Sequence, residues 1–363
     1  MQLRKYEIMT LDNQKKLDLK RLPLMWSLIL VSLFALMVVG IVEFVKPLQA
    51  ELNYRNGYFN FFHKQYDKAI LSLQKAVDYA PWETHYRVQL GKSYEKAAEV
   101  VTDPVLKLKL LEQAKIEYER IVEIDDKNPW YLNRLGAIHQ AFSKVNTQKQ
   151  SVYLDFAHKY IKEAAENDRN NPLFQMNMAF FYHKTGFFDK AESYYKKALD
   201  IDSRLSEAAY NYAELLLKRG DGDGAYGLYK SVYDRSPNFG KAAEILADLT
   251  IKLEKYSETE VFLTTVVEKD PTNQSALQNF IIVLFKLNKF QDVIDLYDLN
   301  KNVIGTDNAG IYKLYVQSLI DSGQLKRAKD ALEEYLIQYP ENEIAQNDLN
   351  SLKKYIRTQS INK

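Results

Sequence analysis

The sequence predicts an all-α fold in which a stack of helix pairs follows one transmembrane helix. Similar residues recur at a fixed interval over much of the chain, as in the series Lys184, Lys218, Lys252 and Lys286. One stretch near the N-terminus, residues 22–42, carries no charge. Only 13 glycines and 9 prolines occur in 363 residues, and most of them fall where helices would end. A period of about 34 residues is typical of arrays in which each helix pair buries its apolar face against the next pair.

Composition narrows the classes of function. Hydrophobic residues make up 46% of the chain and charged residues 27%, which are typical of a folded protein. The net charge of +1 argues against a nucleic-acid binder, which needs an excess of lysine and arginine on one face. The sequence has no cysteine, so it forms no disulfides, thiolate metal sites or thiol nucleophiles.

The first element is the uncharged segment Leu22–Val42. A helix needs about 20 apolar residues to cross a bilayer. Trp26 and Phe44 lie where the two membrane interfaces would be, and Pro23 lies in the first helical turn, which tolerates proline. We therefore expect a transmembrane helix over residues 22–45. The alternative is a buried helix of a soluble protein, but such a helix is rarely apolar around its whole circumference.

Flanking charges predict the orientation of this helix. More basic residues precede it than follow it closely. They are Arg4, Lys5, Lys15, Lys16, Lys20 and Arg21 before the helix, and Lys46 and Arg55 after it. The positive-inside rule places residues 1–21 in the cytoplasm and the long C-terminal part outside it. A cleaved signal peptide, cut after Leu48-Gln49-Ala50, is the competing interpretation. Its apolar core would exceed the usual length of about 7 to 15 residues, which favours an uncleaved anchor.

The first helix pair follows from residue 51. Its helix A carries Gly57 where it packs most closely, its helix B carries Ala69, Leu73 and Ala76, and Pro81 closes the unit. The stretch YRNGYFNFFHKQYDKAILSLQKAVDYAP closely resembles a tetratricopeptide repeat (TPR). This resemblance, which extends over most of the chain, implies a right-handed TPR superhelix of about eight helix-pair repeats.

The second and third pairs are longer than the first. They carry Gly91 and Gly136 at the close contact, and both contain an insertion before helix B. Their endings also match, with EIDDKNP before Pro129 and ENDRNNP before Pro172. We interpret them as duplicated copies of one longer repeat.

The remaining pairs follow the repeat period, strictly so from Pro172 to Pro271. The seventh pair has Ile281 in place of the small residue and ends irregularly at NVIGTDN, and the eighth contains Gly323. The last segment, ENEIAQNDLNSLKKYIR, has no partner helix and is predicted to cap the array with a polar face. The repeats and the cap therefore span residues 51–357, and residues 358–363 form a tail.

Catalytic and metal-binding motifs are absent from the sequence. The five histidines lie in different repeats and have no metal-site spacing. They are His63, His85, His139, His158 and His183. His139 occupies a row that holds Tyr94 and Tyr182 in other repeats, so we expect it to pack rather than to react. The run GDGDGAYG at residues 220–227 is predicted to be a turn between helices, not a phosphate cradle. The sequence thus predicts a protein that is not an enzyme and needs no metal or cofactor.

Candidate binding residues lie on the predicted inner face of the A helices. One row stands two residues before the small packing residue, and a second row consists of lysines. The first row contains Arg55, Gln89, Arg134, Asn177, Asn211, Ile245, Asn279 and Leu314, and the second contains Lys96, Lys184, Lys218, Lys252 and Lys286. Amides and guanidiniums can bind the backbone of an extended peptide without reading its sequence. Repeat duplication with ordinary solvated lysines is the alternative explanation. The rows do not reproduce the two-carboxylate clamp of chaperone-tail-binding relatives, so an acidic peptide tail is not indicated.

A second resemblance covers residues 22–172. The apolar span, the following PLQAELNYRNGYFNFF and a lengthened repeat ending in NPWYLNRLGAIH resemble the C-terminal end of bacterial O-antigen ligase/polymerase-type membrane proteins. In that family the last membrane helix continues into an extracytoplasmic repeat domain. The multi-spanning catalytic part of the family has no counterpart in this sequence, so its chemistry is not transferred to any residue.

Together these observations predict a scaffold in the bacterial inner membrane, with the TPR domain in the periplasm. The predicted partner is a protein or peptide held in the concave groove, with no nucleic acid and no small-molecule cofactor. The O-antigen resemblance implies a role in surface-polysaccharide assembly. The alternative is a chaperone-like factor, associated with a translocon or with envelope biogenesis, that binds extended client peptides.

Overall fold

The computed structural model describes residues 22–361. Within that range it contains seventeen α-helices, one short 3-10 turn and no β-strand. The chain divides into two compact units, unit 1 ending at Asp168 and unit 2 beginning at Arg169. The predicted cytoplasmic segment 1–21 and residues 362–363 lie outside the described residues. The all-helical prediction is therefore confirmed for residues 22–361.

Unit 1 contains three helix pairs, in which consecutive helices pack against each other. The helices are α1 (Leu22–Phe62), α2 (Tyr66–Tyr79), α3 (Thr84–Val100), α4 (Pro104–Val122), α5 (Pro129–Val145) and α6 (Gln150–Asn167), with the 3-10 turn at Thr147–Lys149. Prolines begin α4 and α5, where the missing N–H has no helical partner in any case. The preceding Asp103 and Asn128 accept hydrogen bonds from Val105 and Trp130 backbone N–H groups, at 3.0 and 3.1 Å.

The transmembrane segment predicted over residues 22–45 and helix A of the first pair form one continuous helix, α1. Pro47 lies inside this helix. The most apolar stretch between Trp26 and Phe62 has a mean hydropathy of 2.8, and none of its residues is buried. This helix is long and apolar enough to cross a membrane, and an N-terminal signal sequence would satisfy the same criteria. No linker separates the span from the first repeat.

The insertions of the second and third pairs form additional helical turns. Helices α3 to α6 are 17 to 19 residues long, whereas α2 has 14. Glycines allow the close approach within these pairs. A Cβ on Gly57 would lie 2.5 Å from Leu73 Cγ, and one on Gly91 would lie 2.9 Å from Tyr118 Cζ. Gly136 likewise faces Ile161. The predicted close contacts of Gly57, Gly91 and Gly136 are confirmed.

Unit 2 contains five helix pairs and a final helix. They are α7 (Pro172–Lys184), α8 (Phe188–Ile201), α9 (Ser206–Lys218), α10 (Gly222–Arg235), α11 (Ala242–Lys252), α12 (Tyr256–Lys269), α13 (Gln274–Lys286), α14 (Phe290–Ile304), α15 (Ala309–Asp321), α16 (Leu325–Gln338) and α17 (Glu343–Ile361). The paired helices are 11 to 15 residues long. The shorter helices account for the strict repeat period of this part of the sequence.

Each of the five paired A helices of unit 2 is followed two residues later by a residue with positive φ, at which the chain reverses into helix B. Gly186 and Gly220 have φ of 84° and 83°. Glu254 and Asn288 occupy the equivalent positions with φ of 56° and 58°. The turn is therefore retained where glycine is replaced. The replacing residues adopt a left-handed conformation, which is unfavourable for a residue with a Cβ.

Within residues 22–361, helix α17 is an A helix that no helix B follows. It begins one repeat period after α15 and buries Ala345, Leu349 and Leu352. On α15 the side facing helix B carries Tyr312, Val316 and Leu319, all buried. The residues at the equivalent positions of α17 are Gln346, Asn350 and Lys353. This polar side agrees with the predicted cap, although the helix extends beyond residue 357 to Ile361.

Candidate binding face

The predicted site residues of unit 2 share one face of their helices. Asn177 and Lys184 are two helical turns apart on α7. The same spacing separates Asn211 from Lys218 on α9, and Asn279 from Lys286 on α13. The three asparagines are half-buried, and Lys184, Lys218, Lys252 and Lys286 are exposed. We call these residues the amide–lysine face.

Ion pairs connect neighbouring A helices on this face. The Glu214 carboxylate of α9 lies 3.5 Å from Lys184 Nζ of α7 and 3.0 Å from Lys218 Nζ of its own helix. Burial raises the pKa of Glu214, but the two lysines outweigh burial and lower it overall. Lys184 also lies over the Phe180 ring, 5.1 Å from its centroid. The structure thus brings two of the four predicted lysines of unit 2 together around one carboxylate.

His183 lies beneath this cluster and is only 3% exposed. Lys218 Nζ is 3.1 Å from His183 Nε2, and Tyr195 Oη is 3.4 Å from His183 Nδ1. Burial and the nearby Lys218 charge lower the pKa of His183, so the ring is neutral. Lys218 then donates to Nε2, and Nδ1–H donates to the tyrosine hydroxyl. This arrangement positions Lys218 on the surface.

The row of amides is interrupted within unit 2. Ile245 on α11 and Leu314 on α15 occupy the position that asparagine holds on α7, α9 and α13. Both side chains are half-buried. The row therefore contains three asparagines and two apolar residues. A lysine lies at the end of each A helix from α7 to α13.

Unit 1 places its predicted residues in different environments. Arg55 is exposed and pairs with Glu51 on the same helix, at 2.7 Å. Arg134 of α5 is exposed and lies 3.5 Å from Glu95 of α3. Gln89 is only 7% exposed, and among the described residues its amide nitrogen has no hydrogen-bond partner. Gln89 is therefore a buried side chain and not an open groove position. Lys96 pairs with Glu99 on its own helix, at 2.7 Å.

Several charges of unit 1 are enclosed between helices. Arg87 Nη1 of α3 lies 2.8 Å from Glu117 Oε2 of α4, and both side chains are nearly buried. Tyr118 donates a hydrogen bond of 2.6 Å to Glu95. Burial raises the pKa of Glu95, against the opposing effects of Arg134 and Tyr118. These groups connect α3, α4 and α5.

His139 packs among aromatic rings, in agreement with the sequence analysis. Its ring stacks on Phe156 and Tyr160, with centroids 5.1 and 5.6 Å away. Its pKa is lowered to about 4, mainly by burial and to a smaller extent by the Lys115 charge. The ring is neutral at pH 7 and belongs to the core of the third pair.

An exposed apolar stripe on α1 was not predicted from the sequence. Five large side chains recur every three to seven residues along one side of the helix, from the end of the predicted span onward. They are Phe44, Leu48, Leu52, Phe59 and Phe62. Arg55 lies within this stripe. The helical spacing of these side chains is visible in the sequence, but aromatic residues are frequent throughout the chain and do not distinguish this segment.

Comparison with known proteins supports the repeat assignment. The tetratricopeptide repeat family model matches residues 174–204, which cover most of α7 and α8. No curated protein sequence matches this chain. The match supports a TPR protein, and it covers one of the predicted repeats.

Solved structures of TPR proteins are similar to parts of the chain. A thermophilic TPR protein of Thermus thermophilus is 20% identical with a TM-score of 0.45, covering 56% of this chain and 99% of that one. YrrB, a TPR protein with an unusual peptide-binding site, is 16% identical with a TM-score of 0.42, covering 52% and 96%. The PilF protein of Pseudomonas aeruginosa is 17% identical with a TM-score of 0.35, covering 59% and 96%. At these scores the similarities carry no conclusion about partners.

Proposed function

We propose that this chain is a membrane-anchored TPR scaffold that binds a protein or peptide partner outside the cytoplasm. The continuity of α1 is the main support. An apolar span and the first repeat share one helix, so the first repeat would be held at a fixed distance from the bilayer. We propose the bacterial inner membrane as its location, with residues 1–21 in the cytoplasm and the repeats in the periplasm.

Reporter fusions test this topology. A periplasm-active reporter such as alkaline phosphatase, fused after residue 60, should be active, and a cytoplasm-active reporter at the same position should be silent. Fusions that replace residues 1–21 with a neutral sequence should lose this strict orientation, because the basic residues determine it. Cytoplasmic activity of the unaltered fusion would contradict the proposed topology.

The proposed partner is an embedded enzyme of surface-polysaccharide assembly. The apolar stripe of α1 supports a partner beside the membrane. Phe44 and Phe62 lie at the two ends of the stripe on one helix, so it extends roughly 27 Å at about 1.5 Å per residue. Most of it would lie above the hydrocarbon core, where lipid cannot cover it. Large exposed apolar patches mark protein contacts, and a membrane protein with a periplasmic part fits this position.

The amide–lysine face of unit 2 is the second proposed contact. Full-length protein carrying Asn177, Asn211 and Asn279 all changed to alanine should retain its fold and lose partner capture after chemical crosslinking and mass spectrometry. A matched variant with three exposed helix-B residues changed to alanine should capture the partner normally. Those residues are Lys197, Asp200 and Glu268. Unchanged capture by the asparagine variant would contradict a role for the amides.

Binding of extended client peptides is the second candidate function. The three half-buried amides favour it, because amides can pair with peptide backbone irrespective of sequence. The identity of the crosslinked proteins distinguishes the two. Capture of one glycan-assembly enzyme supports the scaffold, whereas capture of many unfolded envelope proteins supports the chaperone-like factor. We propose no catalytic role, no nucleic-acid partner and no cofactor for either function.

A further inference from the structure

A cavity of about 840 Å³ lies between α15, α16 and the capping helix α17. Its apolar part includes Val316, Ile320, Leu332 and Leu352. Two large side chains at its edge, Ile344 and Tyr355 of α17, are 63% and 52% exposed. The cavity lies entirely within unit 2. A ligand pocket typically has a volume of about 300 to 1,000 Å³ and combines apolar walls with a few polar groups.

Small residues open this cavity. Ala309 and Gly310 begin α15, and Ser351 lies on the facing side of α17. A Cβ placed on Gly310 would approach only Asn308 Oδ1, at 3.4 Å. Between α7 and α9, by contrast, long charged side chains bridge the equivalent space. The space between the last two A helices is therefore unfilled where Ala309, Gly310 and Ser351 line it, because these residues are short.

The charges around the cavity are unequal. Two carboxylates, Asp321 and Asp348, line it together with one ammonium, Lys313. The net negative charge favours an occupant with a basic group beside its apolar part. It disfavours an acidic peptide. It also disfavours a hydrocarbon chain, which has no group to pair with Asp348, whereas Asp321 already accepts a hydrogen bond of 2.9 Å from Gln317.

The length of the cavity favours a peptide. Its lining extends from Gly310 to Asp321 on α15 and from Ile344 to Tyr355 on α17. At about 1.5 Å per residue each side is roughly 16 Å long. An extended chain rises about 3.3 Å per residue, so about five residues of a peptide fit along it.

We propose that this cavity, which we call the cap pocket, binds an extended peptide segment with an apolar anchor next to a basic residue. The anchor side chain occupies the space above Val316 and Leu352, and the basic residue pairs with Asp321 or Asp348. The cap pocket deepens the proposed scaffold function by giving the partner a recognisable sequence feature, and it rests on that function.

Short fluorescent peptides test the cap pocket on the full-length protein in detergent. The probes carry a central leucine between lysines, a central leucine between glutamates, or a central serine between lysines. The leucine–lysine peptide should bind at least about tenfold more tightly than the other two, because it alone offers both the anchor and the charge. Equal binding of all three peptides, or binding of none, would overturn the proposal.

Two substitutions assign the binding to this cavity. Gly310→Leu fills it from a position where a helix tolerates any side chain better than glycine, and should abolish binding of the leucine–lysine peptide. Gly227→Leu on α10, where nothing lies within 4 Å, is the matched control and should bind normally. Ser351→Tyr fills the cavity from the other side if Gly310→Leu proves unstable. Normal binding by both filled variants contradicts the proposal.

Charge reversal tests the second feature. Asp348→Lys should shift the preference toward the leucine–glutamate peptide, whereas Asp200→Lys on α8 should leave it unchanged. An unchanged preference in Asp348→Lys overturns the role of the rim charges. If the Gly310→Leu variant still captures the partner in cells, the cap pocket is rejected and the scaffold function is not. Peptide binding without any captured protein in cells would reject the scaffold function and leave the pocket.

Discussion

Unit 1 and unit 2 use charged side chains in different ways. In unit 1 one ion pair, Arg87–Glu117, is nearly buried between α3 and α4. In unit 2 the charges at the ends of the A helices are exposed, as in the Lys184–Glu214–Lys218 cluster. Buried pairs maintain the geometry of a structure, while exposed charges remain available to a partner. We infer that unit 1 mainly supports the array and unit 2 presents its binding face.

The largest expected effect comes from breaking the buried pair of unit 1. Arg87→Met leaves the Glu117 carboxylate without its strongest partner and should lower the free energy of unfolding by about 3–5 kcal/mol. Lys218→Met, at the exposed cluster of unit 2, should cost less than about 1 kcal/mol. Urea unfolding followed by peptide-resolved hydrogen exchange measures both. The double variant Arg87→Met with Glu117→Leu should recover most of the lost free energy of unfolding. Equal losses in Arg87→Met and Lys218→Met would contradict the contrast between the two units.

The buried histidine of unit 1 should make that unit sensitive to acid. The pKa of His139 falls from 6.5 to about 4 on folding, so the unfolded chain binds the proton more readily. Stability is then fully present above pH 6.5 and is lost as the pH falls towards 4. With about 1.4 kcal/mol per pKa unit, the loss reaches up to about 3 kcal/mol. His139→Phe should flatten the acid limb of the urea midpoint against pH, and the exposed control His63→Gln should leave it unchanged.

Glycine contacts provide a further contrast. Gly91→Leu forces a side chain against Tyr118 and should destabilise unit 1 by about 1–3 kcal/mol. Gly227→Leu, inside α10 with no atom within 4 Å, should be neutral or stabilising because glycine weakens a helix interior. Thermal unfolding of the two variants provides the comparison. A harmless Gly91→Leu would show that the first pairs are less tightly packed than the distances indicate.

The smallest expected effect lies in the turns of unit 2. Glu254→Gly should stabilise by up to about 1 kcal/mol, because a left-handed conformation costs a residue with a Cβ roughly that much. Gly220→Ala, in the equivalent turn, should destabilise by a similar amount. Opposite signs in the two urea midpoints are the expected result, and a destabilised Glu254→Gly would contradict the account of the turn.

The repeats could be predicted from the sequence because close packing of helices requires particular residue types at regular positions. Gly57, Gly91 and Gly136 mark close helix contacts. Pro129 and Pro172 mark helix starts. Both features were readable without a structure. The turn at Glu254 was not, since glutamate rarely adopts a positive φ, whereas Asn288 belongs to a residue type that adopts it more often without requiring it. Gln89 was assigned to the groove by its position in the repeat, yet its burial depends on the packing around α3. The cap pocket exists because the side chains between α15 and α17 leave space unfilled. The repeat period of the sequence does not show whether such a space is filled.

Site-specific photocrosslinking in intact cells tests the inferred role of unit 2 most directly. A photoreactive residue in place of Lys252, on the A-helix face, should capture a discrete protein partner. The same residue in place of Asp200, on the exposed side of α8, should not. Capture at Lys252 should disappear when Asn177, Asn211 and Asn279 are changed to alanine. Equal capture at Lys252 and Asp200, or capture only from positions in unit 1, would contradict the assignment of the binding face to unit 2.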